Sequence, residues 1–355
     1  MPKLMSGKFM IYGATGYTGK LISRTAKSLG MKPVLAGRNP VRLKALAGEC
    51  GFDRRTIELA DAAALRSGLA DIDAVLHVAG PFSQTSKPML DACMRARVHY
   101  LDITGEIDVF EACAARDKEA RESAIMVMPG VGFDVVPSDC LAAHMIRLMP
   151  DAVELTLAIA GLTKASRGTA KTTIESIAKA TRARRDGRIV MLRAPPRRNF
   201  DYGNGPRSSA VIGWGDVSTA YHSTGIPNIT VYFEAAPELE QLLGMSSLMR
   251  WLLSLKPAQW MLRDRIDRLP EGPTDQERRA GHATLFAEVV NPAGLKAVSR
   301  LNTPEGYTLT AMTSLEIVRR VLAGDAKPGF QTPSRVFGAD FITTFPRCMR
   351  QDLSI

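Results

Sequence analysis

The chain has 355 residues, 45% apolar and 23% charged, which suits two domains of ~100–200 residues and excludes a disordered, collagen-like or disulfide-stapled chain. The formal net charge is +10, yet segment 164–207 alone holds twelve basic and three acidic residues and so nearly all of the excess. That segment has few aromatics to stack bases and no helix-turn-helix or finger spacing; this argues against nucleic acid and leaves an anionic substrate, an anionic surface or a plain solvated face.

Residues 8–130 alternate short apolar runs with helical periodicity. Strands are expected at Lys8–Tyr12, Pro33–Ala36, Thr56–Leu59, Ala74–Val78, Val98–Leu101 and Ala124–Met128. Helices are expected between them at 16–29, 40–50, 61–69, 84–96 and 106–121. Strand–helix alternation implies parallel βαβ units with right-handed crossovers, hence a doubly wound Rossmann-type α/β sheet. After residue 150 the rhythm changes. Val153–Ala160, Asn228–Ala235, Thr284–Asn291 and Leu295–Leu301 have strand character, and Pro292-Ala293-Gly294 between the last two is a hairpin signal. A second α+β domain with a mixed or antiparallel sheet follows from this. An amphipathic helix at 311–323 ends at Gly324, and Pro328, Gly329 and Pro333 mark a tail loop. The expected division is 1–130, 131–310 and a C-terminal piece 311–355 that returns to the first domain.

The five cysteines (Cys50, Cys93, Cys113, Cys140 and Cys348) are odd in number and far apart, so they read as reduced core residues. No apolar run reaches the ~18–20 residues of a membrane helix, and the start leads straight into a strand without a signal-peptide core. A cytoplasmic protein is expected.

Gly13-Ala14-Thr15-Gly16-Tyr17-Thr18-Gly19 follows the first strand and opens the first helix. Glycine there permits positive φ and close backbone approach, while free N–H groups and the positive helix end attract a pyrophosphate. The second strand ends in Gly37-Arg38-Asn39, where an NAD site usually carries an acidic residue for the ribose hydroxyl. The first acidic residue of the chain is Glu49, after nine Lys or Arg. Arg38 can grip a 2′-phosphate that a carboxylate would repel, so the expected cofactor is NADP; the plainer reading of Arg38 is a surface residue capping the next helix.

Three further loops fall at carboxyl ends of expected strands, where open α/β sheets bind ligands. They are Ala79-Gly80-Pro81-Phe82, Asp102-Ile103-Thr104-Gly105-Glu106 and Pro129 to Asp139. Gly80 and Pro81 would let the backbone pass close to the nicotinamide ribose; Thr104 and Gly132 complete the expected cofactor set. Asp102 and Asp139 read most plainly as N-caps. Asp134 is too early to cap well and is the first catalytic candidate, with Tyr221 or His222 as candidate proton donor. No motif suggests hydrolysis or metal chemistry.

The chain resembles the saccharopine dehydrogenase-like oxidoreductases, and within them the trans-acting enoyl reductase branch. The resemblance rests on Gly13–Gly19, Ala79–Phe82, Tyr100–Glu106 and Gly130–Asp139, and continues in Gly168-Thr169, Gly306-Tyr307 and Gly329–Pro333. It implies an NADP-binding Rossmann domain, a substrate domain whose end returns to the first, and hydride transfer to an activated C=C or C=N bond. The alternative is an NADP-binding sensor or scaffold without turnover. Met245–Leu255 sets Met245, Leu248, Met249 and Leu252 on one helical face, with Trp251 beside them and Trp260 beyond. This reads either as a core helix or as a flap for a lipid-like substrate, with peripheral membrane contact through 245–265. A homodimer is the remaining partner expectation.

Overall fold

The computed structural model describes residues 7–161, 164–170, 181–193, 195–235, 265 and 268–354. The Met245–Leu255 helix, Trp251 and Trp260, and with them the expected membrane contact, lie outside the described residues. The chain divides into two compact units, Met1–Val136 with Gly306–Gly338, and Pro137–Glu305 with Ala339–Ile355.

The first half runs β1 (Phe9–Tyr12), α1 (Tyr17–Ser28), β2 (Val34–Gly37), α2 (Pro40–Cys50), β3 (Arg54–Thr56), α3 (Ala62–Leu69), β4 (Ala74–His77) and α4 (Phe82–Ala96). It continues with β5 (His99–Asp102), α5 (Ile107–Ala114), α6 (Asp117–Glu122), β6 (Met126–Met128) and α7 (Val136–Leu148). Then come β7 (Glu154–Ala160), β8 (Arg182–Arg185), β9 (Arg188–Met191), β10 (Arg197–Asp201), β11 (Pro206–Val211), α8 (Asp216–Thr224) and β12 (Asn228–Glu234). The chain closes with α9 (Asp275–Ala280), β13 (His282–Val290), β14 (Lys296–Pro304), α10 (Gly306–Arg320), β15 (Gly329–Phe330), α11 (Pro333–Phe337) and β16 (Met349–Ser354).

The first unit is a seven-stranded sheet in the order β15-β6-β5-β4-β1-β2-β3, every pair parallel. Its central strands are buried on both faces, which is why Phe-Met-Ile-Tyr and Ala-Val-Leu-His read as unbroken rather than alternating apolar runs. Asn39 caps α2 by accepting the Arg42 N–H at 3.0 Å, with Pro40 at the first helical position; Asp61 caps α3 from Ala63 and Ala64. The second unit holds the order β10-β11-β12-β7-β13-β14-β16, with β7 and β12 parallel and the other neighbours antiparallel. Hairpin β8–β9 joins it through Arg184 opposite Ile229. The Asn291–Leu295 turn between β13 and β14 has Gly294 at φ +80° and Asn291 Oδ1 accepting two backbone N–H groups.

Four expectations are corrected. The third strand is Arg54–Thr56 rather than Thr56–Leu59: it is the exposed edge strand, so it needs no apolar pattern, and Ile57 buries itself just after it. The helix expected over 106–121 is two helices, because Arg116 at ψ 16° interrupts it. The C-terminal piece divides: Gly306–Gly338 enters the first unit, where β15 pairs with β6, whereas Ala339–Ile355 enters the second, where β16 pairs with β14. The basic segment carries four strands that composition hid. Within it Arg198 forks onto Glu288 at 2.8 and 2.6 Å, Arg207 pairs with Glu234, and buried Arg184 donates to the carbonyls of Val217 and Gly187. These cations are structural in the second unit. All five cysteines are buried free thiols. No helix among the described residues is long and apolar enough to cross a membrane.

Candidate cofactor and active site

The loops singled out in the sequence gather at the carboxyl edge of the parallel sheet. Gly13 has φ +89°, and a Cβ there would lie 2.7 Å from the Ala79 backbone nitrogen, so the first loop and the Ala79–Phe82 loop touch backbone to backbone. A Cβ on Gly19 would sit 2.4 Å from the Gly13 carbonyl oxygen, which fixes α1 tight under the loop. Gly16 is the exposed N-cap of α1 and no side chain caps that helix. Thr15, Tyr17 and Thr18 around it are half-buried, and the Tyr17 ring meets Tyr307 of α10 edge-on at 5.1 Å. No side-chain cap therefore competes with an anion for the positive end of α1.

At the end of β2, Arg38 is exposed and makes no side-chain hydrogen bond or ion pair among the described residues. The cap on α2 comes from Asn39, not Arg38. Burial raises the Tyr12 hydroxyl above its ordinary pKa, with Arg38 opposing and Glu58 adding to that shift. Glu58, which follows the adjacent β3, thus acts on the same hydroxyl as Arg38, although 20 residues of sequence separate the two.

The Ala79–Phe82 loop is held from two sides. Glu106 accepts the N–H groups of Phe82 and Ser83 with its two oxygens, both at 2.9 Å, and so closes the N-terminus of α4. Thr85 Oγ1 lies 2.6 Å from the Ala79 carbonyl and 3.1 Å from that of Pro81. Gly80 is exposed, and the Gly80–Pro81 peptide is cis. Thr85 was not singled out in the sequence, and Glu106 only as the end of the Asp102–Glu106 loop, with no role assigned to it; the signal for that role was a helix α4 with no capping residue of its own.

Asp102 caps no helix. It ends β5, is fully buried, and accepts from Tyr100 Oη at 2.7 Å, Thr104 N–H at 2.9 Å and Gly130 N–H at 3.0 Å. Burial pushes its carboxyl up to about 6, against the pull of those three donors. Thr104 is equally buried, its hydroxyl accepting the Glu106 N–H at 3.1 Å. Gly132 packs on Thr310 of α10, which accepts the Phe133 N–H at 3.0 Å; Thr313 of the same helix donates to the Val131 carbonyl at 2.9 Å. Asp134 is half-buried against Gly105, whose Cβ would lie 3.0 Å from the carboxylate. Burial lifts its carboxyl to about 7, the range in which a group gives and takes protons near neutrality.

Tyr221 and His222 belong to the second unit, on α8. The Arg184 guanidinium stacks 4.1 Å above the Tyr221 ring, and His222 meets the same ring at 5.8 Å. Asp139, in the first turn of α7, is buried and accepts the Ser223 hydroxyl.

Residues 9–128 match the family described as the saccharopine dehydrogenase NADP binding domain. The first unit carries that NADP-binding domain. The site fits the nucleotide: an uncapped helix end lies behind a glycine cradle, and at the end of β2 stands an unengaged arginine. Among curated proteins, the trans-acting enoyl reductase of Mycobacterium ulcerans is 29% identical over 154 residues, 39% of this chain and 35% of that one. That of Mycobacterium bovis is 31% identical over 152 residues, with the same coverage. The matches thus span about a third of these relatives' length. Among solved structures, saccharopine dehydrogenase (L-Glu forming) from Saccharomyces cerevisiae shares the fold with a TM-score of 0.66 at 12% identity, over 98% of this chain and 100% of that chain.

Proposed function

We propose that the protein is an NADP-dependent oxidoreductase that reduces an activated C=C or C=N bond. The observation that carries this is the NADP-binding domain over residues 9–128, with its open α1 N-terminus at the glycine cradle. When bound, NADPH supplies the hydride. The chain's own part is to bind pyrophosphate on Gly13–Gly19, hold the 2′-phosphate with Arg38, and shape the loop Ala79–Phe82. Gly132 and Thr104 order the floor beside it, and Asp134 holds or delivers a proton; Tyr221 and His222 are second candidates for that donor.

The names of the sequence relatives favour an enoyl substrate over an imine. A lipid-like chain on that substrate is the reading suggested by the apolar spacing in the sequence of 245–255. The test is stopped-flow absorbance of NADPH mixed with short- and long-chain α,β-unsaturated acyl thioesters and with cyclic imines. Oxidation with one class supports a reductase of that class; tight NADPH binding with none oxidised would favour a sensor or scaffold.

A further inference from the structure

His77 ends β4, directly before the Ala79–Phe82 loop, and is fully buried. The rings of Tyr12, Phe82 and Tyr100 surround it at centroid distances of 5.5, 5.4 and 6.3 Å. Its Nε2 lies 3.1 Å from Thr85 Oγ1, while its Nδ1 has no hydrogen-bond partner among the described residues. Phenylalanine would fill this aromatic space without leaving a polar atom stranded, so packing alone does not account for an imidazole here.

Proton counting does account for it. The Thr85 hydroxyl has one hydrogen and its shortest contact is the Ala79 carbonyl at 2.6 Å, an acceptor only. The hydroxyl therefore donates to that carbonyl, and His77 Nε2 must donate to the hydroxyl oxygen. Nδ1 then carries the lone pair, which is the nitrogen left alone. Burial holds the ring at about 3, so it stays neutral and the arrangement does not change over the working pH range. Because Thr85 Oγ1 is also 3.1 Å from the Pro81 carbonyl, the relay reaches both sides of Gly80.

We propose that His77 and Thr85 are positioning residues for the nucleotide: the imidazole orients the threonine hydroxyl, which fixes Ala79–Pro81 in the shape that meets the nicotinamide end of NADPH. This rests on the functional reading above and adds to it a stranded buried nitrogen retained for the sake of a loop.

The test compares Thr85→Val, Thr85→Ser, His77→Phe and the His77→Phe/Thr85→Val double variant in the full chain. NADPH affinity is measured by calorimetry, kcat and KM at steady state, stability by thermal denaturation, and the His77 tautomer by imidazole 15N shifts. The expected results are an Nε2–H tautomer in the wild type and a roughly 3- to 10-fold weaker NADPH affinity in Thr85→Val, as for the loss of one neutral hydrogen bond. Thr85→Ser should restore the affinity. His77→Phe should show the same defect while melting no lower than the wild type, and the double variant should be no worse than either single one. An Nδ1–H tautomer, or a His77→Phe variant whose affinity falls only in step with its melting temperature, would overturn the role. Normal wild-type binding with unaffected variants overturns it alone, whereas a wild type that does not bind NADPH overturns the functional reading and this role together.

Discussion

Arg38 shows how one residue can set cofactor choice, and also where counting along the chain misleads. The window before Glu49 has no carboxylate, yet the parallel sheet places Glu58 close enough to act on the same Tyr12 hydroxyl that Arg38 acts on. With Arg38 free of other partners, Arg38→Ala should remove a charge-assisted contact to the 2′-phosphate. At about 1.5–3 kcal/mol this is roughly a 10- to 150-fold loss of NADPH affinity, with NADH binding unchanged. Calorimetry with both cofactors checks it, and equal wild-type affinities would sink the argument. Asp134 is the second case. Its carboxyl is protonated below about 7, so a proton-delivering role makes turnover fall as pH rises through that value. Asp134→Asn should depress kcat and flatten that limb while leaving NADPH affinity intact; an unaltered pH–rate profile in the variant would return Asp134 to a structural role. That Asp134 differs from Asp102 was partly legible: neither its position before α7 nor its spacing suited a cap. The true task of Asp102, tying Thr104 and Gly130 together across neighbouring strand ends, was not legible, because the partners come from two loops that only the sheet brings side by side.

Among elements, α1 and the β1 loop were readable because glycine spacing is a local constraint. The geometry sharpens it into a contrast between two helical glycines. Gly19 would put a Cβ 2.4 Å from a backbone oxygen that cannot retreat, whereas Gly48 in α2 has nothing within 4 Å. Gly19→Ala should therefore abolish NADPH binding and lower stability, while Gly48→Ala should raise stability by about 0.5–1 kcal/mol, the ordinary helix gain. Urea titrations of both variants decide this, and a Gly19→Ala protein of wild-type affinity would show that the cradle is not needed. The elements that escaped were those whose chemistry pointed elsewhere. Strand β8 is Arg-Ala-Arg-Arg, which composition reads as a solvated face. The overlooked signal was Asp186-Gly187 between β8 and β9, both at positive φ, the dipeptide a tight hairpin demands. Its arginines tolerate the sheet because Arg184 donates to the carbonyls of Val217 and Gly187, and Arg185 to the Ile229 carbonyl and the Thr230 hydroxyl.

At the scale of the whole molecule, the last fifty residues complete both sheets. Strand β15 finishes the parallel sheet beside β6, and β16 finishes the mixed sheet beside β14. The sequence marked the return to the first unit through the Gly329–Pro333 motif. It did not mark the second return, because β16 is an exposed edge strand, Met-Arg-Gln-Asp-Leu-Ser, with no apolar alternation. What holds β16 is polar. Asp352 accepts from Ser299 Oγ at 2.5 Å and lies 2.7 Å from Nε2 of buried His144. Asp340 meanwhile takes a fork from Arg147 and a contact from Arg350. The Arg147–Asp340 pair is largely exposed and contributes little, so the cost of losing β16 falls mainly on Ser299 and His144, left without their carboxylate at about 1–3 kcal/mol each. Truncation after Cys348, which keeps the buried Phe341, Ile342 and Phe345, should therefore leave NADPH binding by the first unit near wild type and destabilise the second by roughly 2–6 kcal/mol. Amide exchange should quicken in β14 and α7 while the β1–β4 core of the parallel sheet keeps its protection. Asp352→Ala in the full chain should reproduce most of that loss without removing a single backbone pairing. If β14 stays protected in Asp352→Ala and loses protection only in the truncated protein, the polar anchor is incidental, and the edge pairing alone secures β16.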